Sequence, residues 1–550
     1  MSAYDEKPWL ARYDAGVPVE VEPEYDTAVA MFRDSVAHAP DSPAICYFDA
    51  TLSFADVDEL SDALAAALQG YGVAKGDRVG IVLQNVPQFV VTTVAGWKAG
   101  AVIVPVNPMY RERELTEVLG DSGARVVVCL ESTAGAVNRA AAATGVETVL
   151  TTTELEFQTR DDERVLGSTS RSPGLGTADL MEVIEQHRGQ QPRAVALGPE
   201  DLAYLPYTSG TTGPPKGSMN THANVVYTSQ VYREWMRLDS DGAMFAVAPL
   251  FHITGLIGHL TAPILARCPT ILTCRFHPVV AAEEIRDHGA TAIIGAITVF
   301  IAWTNSAEVT REHLAGLRAV YSGGAPVPHA ALEAFRDKFG HYVHNGYGLT
   351  ESNSPAIVVP FGKEAPTDPA SGAVSIGVPV SGTSASIVDD QDNPTPVGEI
   401  GEIVLVGPGI AAGYWNKPEE TEHAMPGGRF HTGDVGVMGS EGWFFIVDRK
   451  KDQINAAGFK VWPREVEDVL YEHPAVREAA VVGVVDPYRG ETVKAVISLK
   501  EGGSASEDEV IAFCKDRLAA YKYPRIVQIR DELPKTVSGK ILRRELRSDN

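Results

Sequence analysis

At 550 residues, 44% hydrophobic and 22% charged, the chain has the composition of a soluble globular protein. It is too long for one ordinary core, so a large domain plus a smaller one is expected. Its 72 acidic and 47 basic residues leave a net charge of −25, which argues against nucleic acid as a main partner. Cys46, Cys129, Cys268, Cys274 and Cys514 are scattered without metal-ligand spacing, as suits a reducing cytosol and a cytoplasmic protein.

The opening MSAYDEKPWLARYDAG lacks the apolar core of a signal peptide, and the chain up to about residue 40 reads as a wrapping arm. Strand and helix then alternate. Ser53 is a candidate N-cap with Asp56 three residues on, and Val57, Leu60, Leu64 and Leu68 fall on one helical face. Arg78–Leu83 reads as a buried strand, Pro87–Ala99 as a helix, and Ala101–Val106 and Arg125–Leu130 as further strands. Such alternation predicts an α/β layer with a largely parallel sheet. Thr151–Gln190 is polar and without clear period, and reads as a surface excursion.

Beyond it, Val225–Met236 is expected to be a helix, Met244–Pro249 a strand, Ala281–His288 a helix and Ala290–Ile297 a strand. The most apolar stretch, Leu256–Leu272, is broken by His259, Pro263, Arg267 and Pro269 and cannot span a bilayer unaided; peripheral membrane contact stays open. Leu317–Ser322 and His341–Asn345 read as strands that run into GGAP and GYGLTES. From about Ser375, short strands with Gly and Asp turns suggest a small β subdomain. After Asp448 a compact α+β unit follows: helix Pro463–Tyr471, strands Glu478–Val485 and Val493–Lys500, and helix Glu507–Ala519.

Chemistry concentrates first in Tyr207–Gly217, YTSGTTGPPKG. Thr208, Ser209, Thr211 and Thr212 supply hydroxyls, Gly210, Gly213 and Gly217 open the backbone, and Lys216 adds a mobile positive charge. Together they make a cradle for a polyphosphate, although the spacing is not that of a Walker A loop. In Gly346–Tyr347–Gly348–Leu349–Thr350–Glu351 a tyrosine between glycines offers a flat face to a purine, and Glu351 a carboxylate that can hold Mg²⁺ beside phosphates. Asp434, in HTGD, can take bidentate bonds from ribose hydroxyls; alone it reads more often as a turn residue. Read alone, Asp448–Asp452 is a solvated charge run, Lys540 in PKTVSGK a surface charge, and His252 in PLFHITGL a core histidine.

The phosphate loop resembles that of the adenylate-forming (AMP-binding) enzymes: acyl-CoA synthetases, luciferases and peptide-synthetase adenylation domains. The likeness covers essentially the whole chain. The nearest pattern is the fatty acyl-CoA synthetase group, of the long-chain-fatty-acid–CoA ligase type, through KPWL, GYWNKPEET at Gly413–Thr421, DRKKD, and PYRGETVKA at Pro487–Ala495. Two places depart from it: paired Pro214–Pro215, and Leu256 where some long-chain enzymes carry a gating tryptophan.

The resemblance implies a large N-terminal domain of layered α/β subdomains plus a small β subdomain, residues 1–447. A hinge follows at 448–451 and a small mobile α+β C-terminal domain at 452–550. It implies ATP, Mg²⁺ and coenzyme A as the small molecules used with a carboxylic acid. Tyr347 would face adenine, with Gly323, Gly324 and Ala325 as the second adenine wall and Asn345, Gly346 and Gly348 beside them. Asp434 would hold ribose, with Arg449 as a second ribose or phosphate contact, and Thr208 and Glu351 the metal, with Thr350 at the phosphate. Lys451 would be the pivot, Gly458 would line the thiol's tunnel, and Lys540 would reach across to the carboxylate and α-phosphate. His252 would gate the thiol.

The expected activity is an acid–CoA ligase acting on a medium- or long-chain fatty acid. An aryl, cyclic or steroid-side-chain acid is the alternative, as is an acyl-AMP ligase feeding a carrier protein. The acid pocket is expected from Phe251–Gly258, Ala296–Phe300 and Asn345–Ser354. A luciferase-like oxygenase and a non-catalytic binder are further rivals, and a homodimer is left open.

Overall fold

The computed structural model describes residues 2–208, 215–325, 327–368, 373–449, 452–456, 459–486, 490–536 and 541–547. Two parallel-cored sheets carry the large domain. The first runs in the order Asn220–Thr221, Leu202–Tyr204, Val102–Pro105, Arg78–Val82, Ala124–Leu130, Thr148–Thr152 and Ala178–Asp179. The second runs Val378–Pro379, Ile357–Val358, His344–Tyr347, Ala319–Gly323, Ala292–Gly295, Met244–Phe245, Thr270–Leu272, Pro43–Tyr47 and Ala50–Ser53. Their inner strands are Val-, Ile- and Ala-rich and buried on both faces, as parallel strands covered by helices must be.

Local signals place the helices. Ser53 and Asp56 form the expected capping box, with the Ser53 hydroxyl accepting from the Asp56 amide, at the start of the Phe54–Gly70 helix. That helix packs on Pro87–Ala99, where the buried Lys98 ammonium is held by Asp58 and Asp62, each at 2.6 Å. Without those two carboxylates the charge would be stranded in the core. The N-terminal arm does wrap: Trp9 is fully buried against Phe444, and the Tyr13 hydroxyl donates to the Pro379 carbonyl at 2.8 Å.

A four-stranded antiparallel sheet (Ser384–Val388, Gly401–Val406, Phe430–Met438 and Phe444–Arg449) forms the β subdomain. The C-terminal domain has its own core, in which Val476–Asp486 and Gly490–Leu499 pair over ten register positions beside helices Pro463–Tyr471 and Glu507–Lys515. All five cysteines are buried thiols. Among the described residues, no helix is long and apolar enough to cross a membrane.

Three sequence expectations need correction. Thr151–Gln190 is not only a surface excursion: Thr148–Thr152 is a fully buried strand, and Ala178–Asp179 and Leu180–Gln186 form a further strand and helix. Threonine hides this because its hydroxyl reads as polar while its methyl packs; the Thr152 hydroxyl is satisfied by Gln88 at 2.9 Å. The predicted His341–Asn345 strand lies further on, at His344–Tyr347, so Gly346 and Tyr347 are strand residues with an antiparallel partner in Ile357–Val358. Met244–Pro249 keeps strand geometry only at Met244–Phe245, and the chain then turns away as the loop that carries His252.

Candidate active site

The second sheet ends its parallel strands at one carboxyl edge, and the site is built there. In open α/β sheets this edge is where ligands bind, because helices occupy the faces and loops with free backbone groups occupy the edge. Ala319–Gly323 finishes in Gly323–Gly324–Ala325, and Gly324 has φ of +79°, a conformation that favours glycine. Its neighbour His344–Tyr347 pairs with it in register, Gly323 opposite Gly346. At Gly348 a Cβ would lie 2.9 Å from Ser354 Cα and 3.1 Å from Pro355 Cα, both backbone atoms that cannot swing aside.

Tyr347 leaves this edge toward the β subdomain, and its hydroxyl donates to Asp434 Oδ2 at 2.7 Å. Asp434 is buried, and Arg449 is its cross-strand partner in the register of the adjoining strand. Two residues expected at the nucleotide are therefore joined directly, although they lie in different subdomains. Asn345 is turned inward, with its amide donating to the Ser375 carbonyl at 3.1 Å. Thr350 opens a short turn and accepts from the Asn220 amide at 3.1 Å.

Both arms of the phosphate loop are described. Tyr207–Thr208 pairs antiparallel with Lys216–Gly217, setting Thr208 opposite Lys216, and the Thr208 hydroxyl donates to the Lys216 carbonyl at 3.4 Å. The hairpin is pinned from below by the Tyr207 hydroxyl on Asp121, at 2.6 Å. The segment through Tyr414 lies against one arm: the Trp415 amide donates to Gly217 O, Met219 N to Gly413 O, and Ala411 N to Glu351 O. Tyr414 then joins the loop to the acidic side. Its hydroxyl donates to Glu351 Oε1 at 2.7 Å, and the Lys216 ammonium sits 5.0 Å from its ring centre. Burial, followed by the Glu351 charge, raises the Tyr414 phenol well above its usual value, so it remains a donor to that carboxylate.

Beside this machinery lies a narrow cleft of about 50 Å³. Its more exposed lining is Gly323, Gly324, Gly346, Gly348, His252 and Thr254, and its buried lining is Tyr232, Trp235, Met236, Ile294, Tyr321 and Val358 with Ser322, Ser354 and Pro355. Ser209, Gly210, Thr211, Thr212, Gly213, Lys451, Gly458 and Lys540 lie outside the described residues.

A family model for the AMP-binding enzyme matches residues 32–415, and one for the AMP-binding enzyme C-terminal domain matches residues 465–540. The chain belongs to the AMP-binding enzyme family. It is 37% identical to the long-chain-fatty-acid–CoA ligase of Escherichia coli O6:H1, over 99% of this chain and 98% of that protein. Among solved structures it resembles ATP-bound MatB from Rhodopseudomonas palustris, with TM-score 0.83 and 28% identity over 95% of this chain and 98% of that one. It also resembles an anthranilate CoA ligase in complex with anthranoyl-AMP, with TM-score 0.86 and 28% identity over 96% and 98%.

For an AMP-binding enzyme the site differs from the sequence expectation in two respects. Ala296–Phe300 does not line the cleft described here; Val299 and Phe300 pack instead with Trp303 and Phe335 on the other side of the sheet. Ile294, in the strand before them, takes that place. Leu256 is fully buried in the core and is not among the cleft's lining residues. Tyr414 and the trio Tyr232, Trp235 and Tyr321 carry no spacing signal that links them to the motifs. Tyr414 lies within GYWNKPEET, a marker of the resemblance to which no role was attached.

Proposed function

We propose that this chain is an ATP-dependent, AMP-forming acid–CoA ligase. A carboxylate attacks the α-phosphate of ATP, giving an acyl-adenylate and pyrophosphate. The CoA thiol then displaces AMP to give a thioester. The carrying observation is one cleft with a glycine end beside the Tyr347–Asp434 pair and the Lys216–Tyr414–Glu351 chain, and an apolar end beyond.

In this reading Tyr347 and Gly323–Ala325 flank adenine, with Gly346 and Gly348 allowing its close approach. Asp434 and Arg449 hold ribose, and Thr208–Lys216 cradles the phosphates. The Tyr347 hydroxyl holds the Asp434 carboxylate in a fixed orientation, and Tyr414 does the same for Glu351. Both groups are thus set before substrate arrives, which is where positioning catalysis draws its effect. Glu351 and Thr208 are hard oxygen donors of the kind Mg²⁺ takes beside phosphates, and they would hold the ion, which neutralises phosphate charge when bound. His252, on the side of the cleft, would meet the thiol's path.

The domains are taken as 1–447 and 452–550 about a hinge at 448–451, with Lys451 as pivot and Gly458 in the CoA tunnel. Lys540 supplies positive charge to the crowded, anionic transition state of adenylation. The acid is a fatty acid by the name of the Escherichia coli relative. A ring-bearing acid is the second reading, favoured by the aromatic lining of the cleft and by the likeness to the anthranilate ligase.

The test is a panel of carboxylic acids scored for AMP release with and without free CoA. CoA-dependent AMP and a free acyl-CoA are expected. Acyl-AMP with no thioester would turn the reading to an acyl-AMP ligase, and no AMP with any acid would overturn it.

A further inference from the structure

The glycines that line the cleft reach the surface, whereas Tyr232, Trp235, Met236 and Tyr321 are buried, so the cleft is open at its glycine end and shut at the other. Side chains alternate along a strand, so the positions of Tyr321 and Gly323 share one face of Ala319–Gly323. From Gly323 back to Tyr321 is roughly 7 Å at strand rise. At that depth the cleft meets Tyr232, Trp235 and Met236, which share one face of the helix His222–Met236 through their spacing of three and four residues.

These groups are packed as core. Tyr232 is 5% exposed, Trp235 2%, Met236 3% and Tyr321 4%. They are also fixed to one another and to their surroundings. Trp235 Nε1 donates to the Ser381 hydroxyl at 3.0 Å, and the Tyr321 hydroxyl donates to the Trp235 carbonyl at 3.3 Å. Tyr13 packs edge-on against Trp235 at 4.9 Å, and the Tyr232 hydroxyl lies 3.5 Å from that of Ser354. Behind Tyr232 stands Gly258, where a Cβ would sit 3.2 Å from the Tyr232 ring and 2.6 Å from Ile294 Cδ1. The ring is therefore backed by solid packing and has no space into which to retreat. Only Met236 is unbranched and adaptable.

We propose that Tyr232, Trp235, Met236 and Tyr321 form an end wall that limits the acid to a compact body, medium-chain or single-ring, and excludes long-chain fatty acids. This rests on the acid–CoA ligase reading. An extended long chain has to displace hydrogen-bonded aromatic rings from a close-packed site, whereas a short chain or a ring ends against them. Ring edges also offer an aryl acid favourable edge and offset contacts. Mismatch in an apolar pocket of this kind discriminates by roughly one to two orders of magnitude.

The experiment measures kcat/KM for CoA-dependent AMP release from hexanoate, octanoate, benzoate and palmitate, with detergent-free palmitate kept below its micelle concentration. The full-length wild type, Tyr232→Ala and Met236→Ala are compared. The wild type should use octanoate or benzoate at least about tenfold better than palmitate. Either truncation should raise the palmitate-to-octanoate ratio about tenfold. The ratio is read within each variant, so a general loss of activity cancels, and the wild-type profile decides even if one variant does not fold. Palmitate used as well as octanoate by the wild type overturns the proposal, as does an unaltered ratio in both active variants. Absence of CoA-dependent AMP with every acid would instead overturn the ligase reading on which the wall depends.

Discussion

At the mouth of the cleft the walls are backbone, set by Gly323, Gly324, Gly346 and Gly348 at the ends of two strands. At its blind end they are rings and a thioether, from Tyr232, Trp235, Met236 and Tyr321. A backbone wall presents the same amide groups whatever the substrate's tail, so it suits the part of the reaction that every acid shares. A side-chain wall has a particular size and outline, so it suits the part that differs between acids. One sheet supports both ends: its strand termini make the first, and Tyr321 of a strand with a helix laid across one face makes the second.

This contrast predicts how damage should sort. Lys540→Ala, on the shared side of the chemistry, should have the largest effect. Acyl-AMP formation should fall by about 10² to 10³ for every acid, while thioester formation from supplied acyl-AMP stays within a few-fold. Equal loss in both half-reactions, measured separately, would break the assignment. Next comes Gly348→Ala, which pushes a Cβ to 2.9 Å from Ser354 Cα. Shifting the glycine edge should lower kcat/KM for ATP by about ten- to a hundredfold, with the ratio between acids unmoved. A changed acid ratio would mean that the two ends are not separable.

Tyr414→Phe should cost less, about tenfold in kcat/KM for ATP, because it removes one hydrogen bond to the Glu351 carboxylate and keeps the ring beside Lys216. Initial rates at varied ATP would check this; an effect that depends on the acid would count against a role on the shared side.

A separate effect, outside the cleft, concerns stability. His259 is fully buried in the Gly255–Thr261 segment that also carries Gly258, and burial holds its imidazole down to about 4. Below the ordinary value near 6.5, the unfolded chain takes up a proton that the folded chain refuses until about 4. Stability should therefore be lost as pH falls through that window and be insensitive to this group above it. At pH 5 the loss is about 2 kcal/mol. His259→Gln should shrink the difference in urea midpoint between pH 7 and pH 5; an unchanged difference would place the sensitivity elsewhere.

Much of the shared end was legible in the sequence because its signals are local. Glycine clusters after apolar runs mark strand ends, and the Ser53–Asp56 box marks a helix start within four residues. The acid end was not legible. Tyr232, Trp235 and Met236 have the spacing of an ordinary helical core face, and nothing local separates a ring that fills a core from one that closes a cleft. Thr148–Thr152 was missed because the polarity of threonine masked a buried strand. Ala296–Phe300 follows a strand at the right edge and so reads as part of the acid pocket, yet Ile297, Val299 and Phe300 pack into the opposite layer.

By itself the sequence determined the alternation of strands and helices, the glycine-rich strand ends, and the hydroxyl- and lysine-bearing loop. All of these follow from periodicity and backbone freedom over a few residues. The tertiary structure alone decided that Tyr347 meets Asp434 across 87 positions and Tyr414 meets Glu351 across 63. It alone brought a helix end, a strand and Ser354 together around one blind cleft. Contacts so distant along the chain come from how sheets and helices close-pack, which no local pattern encodes.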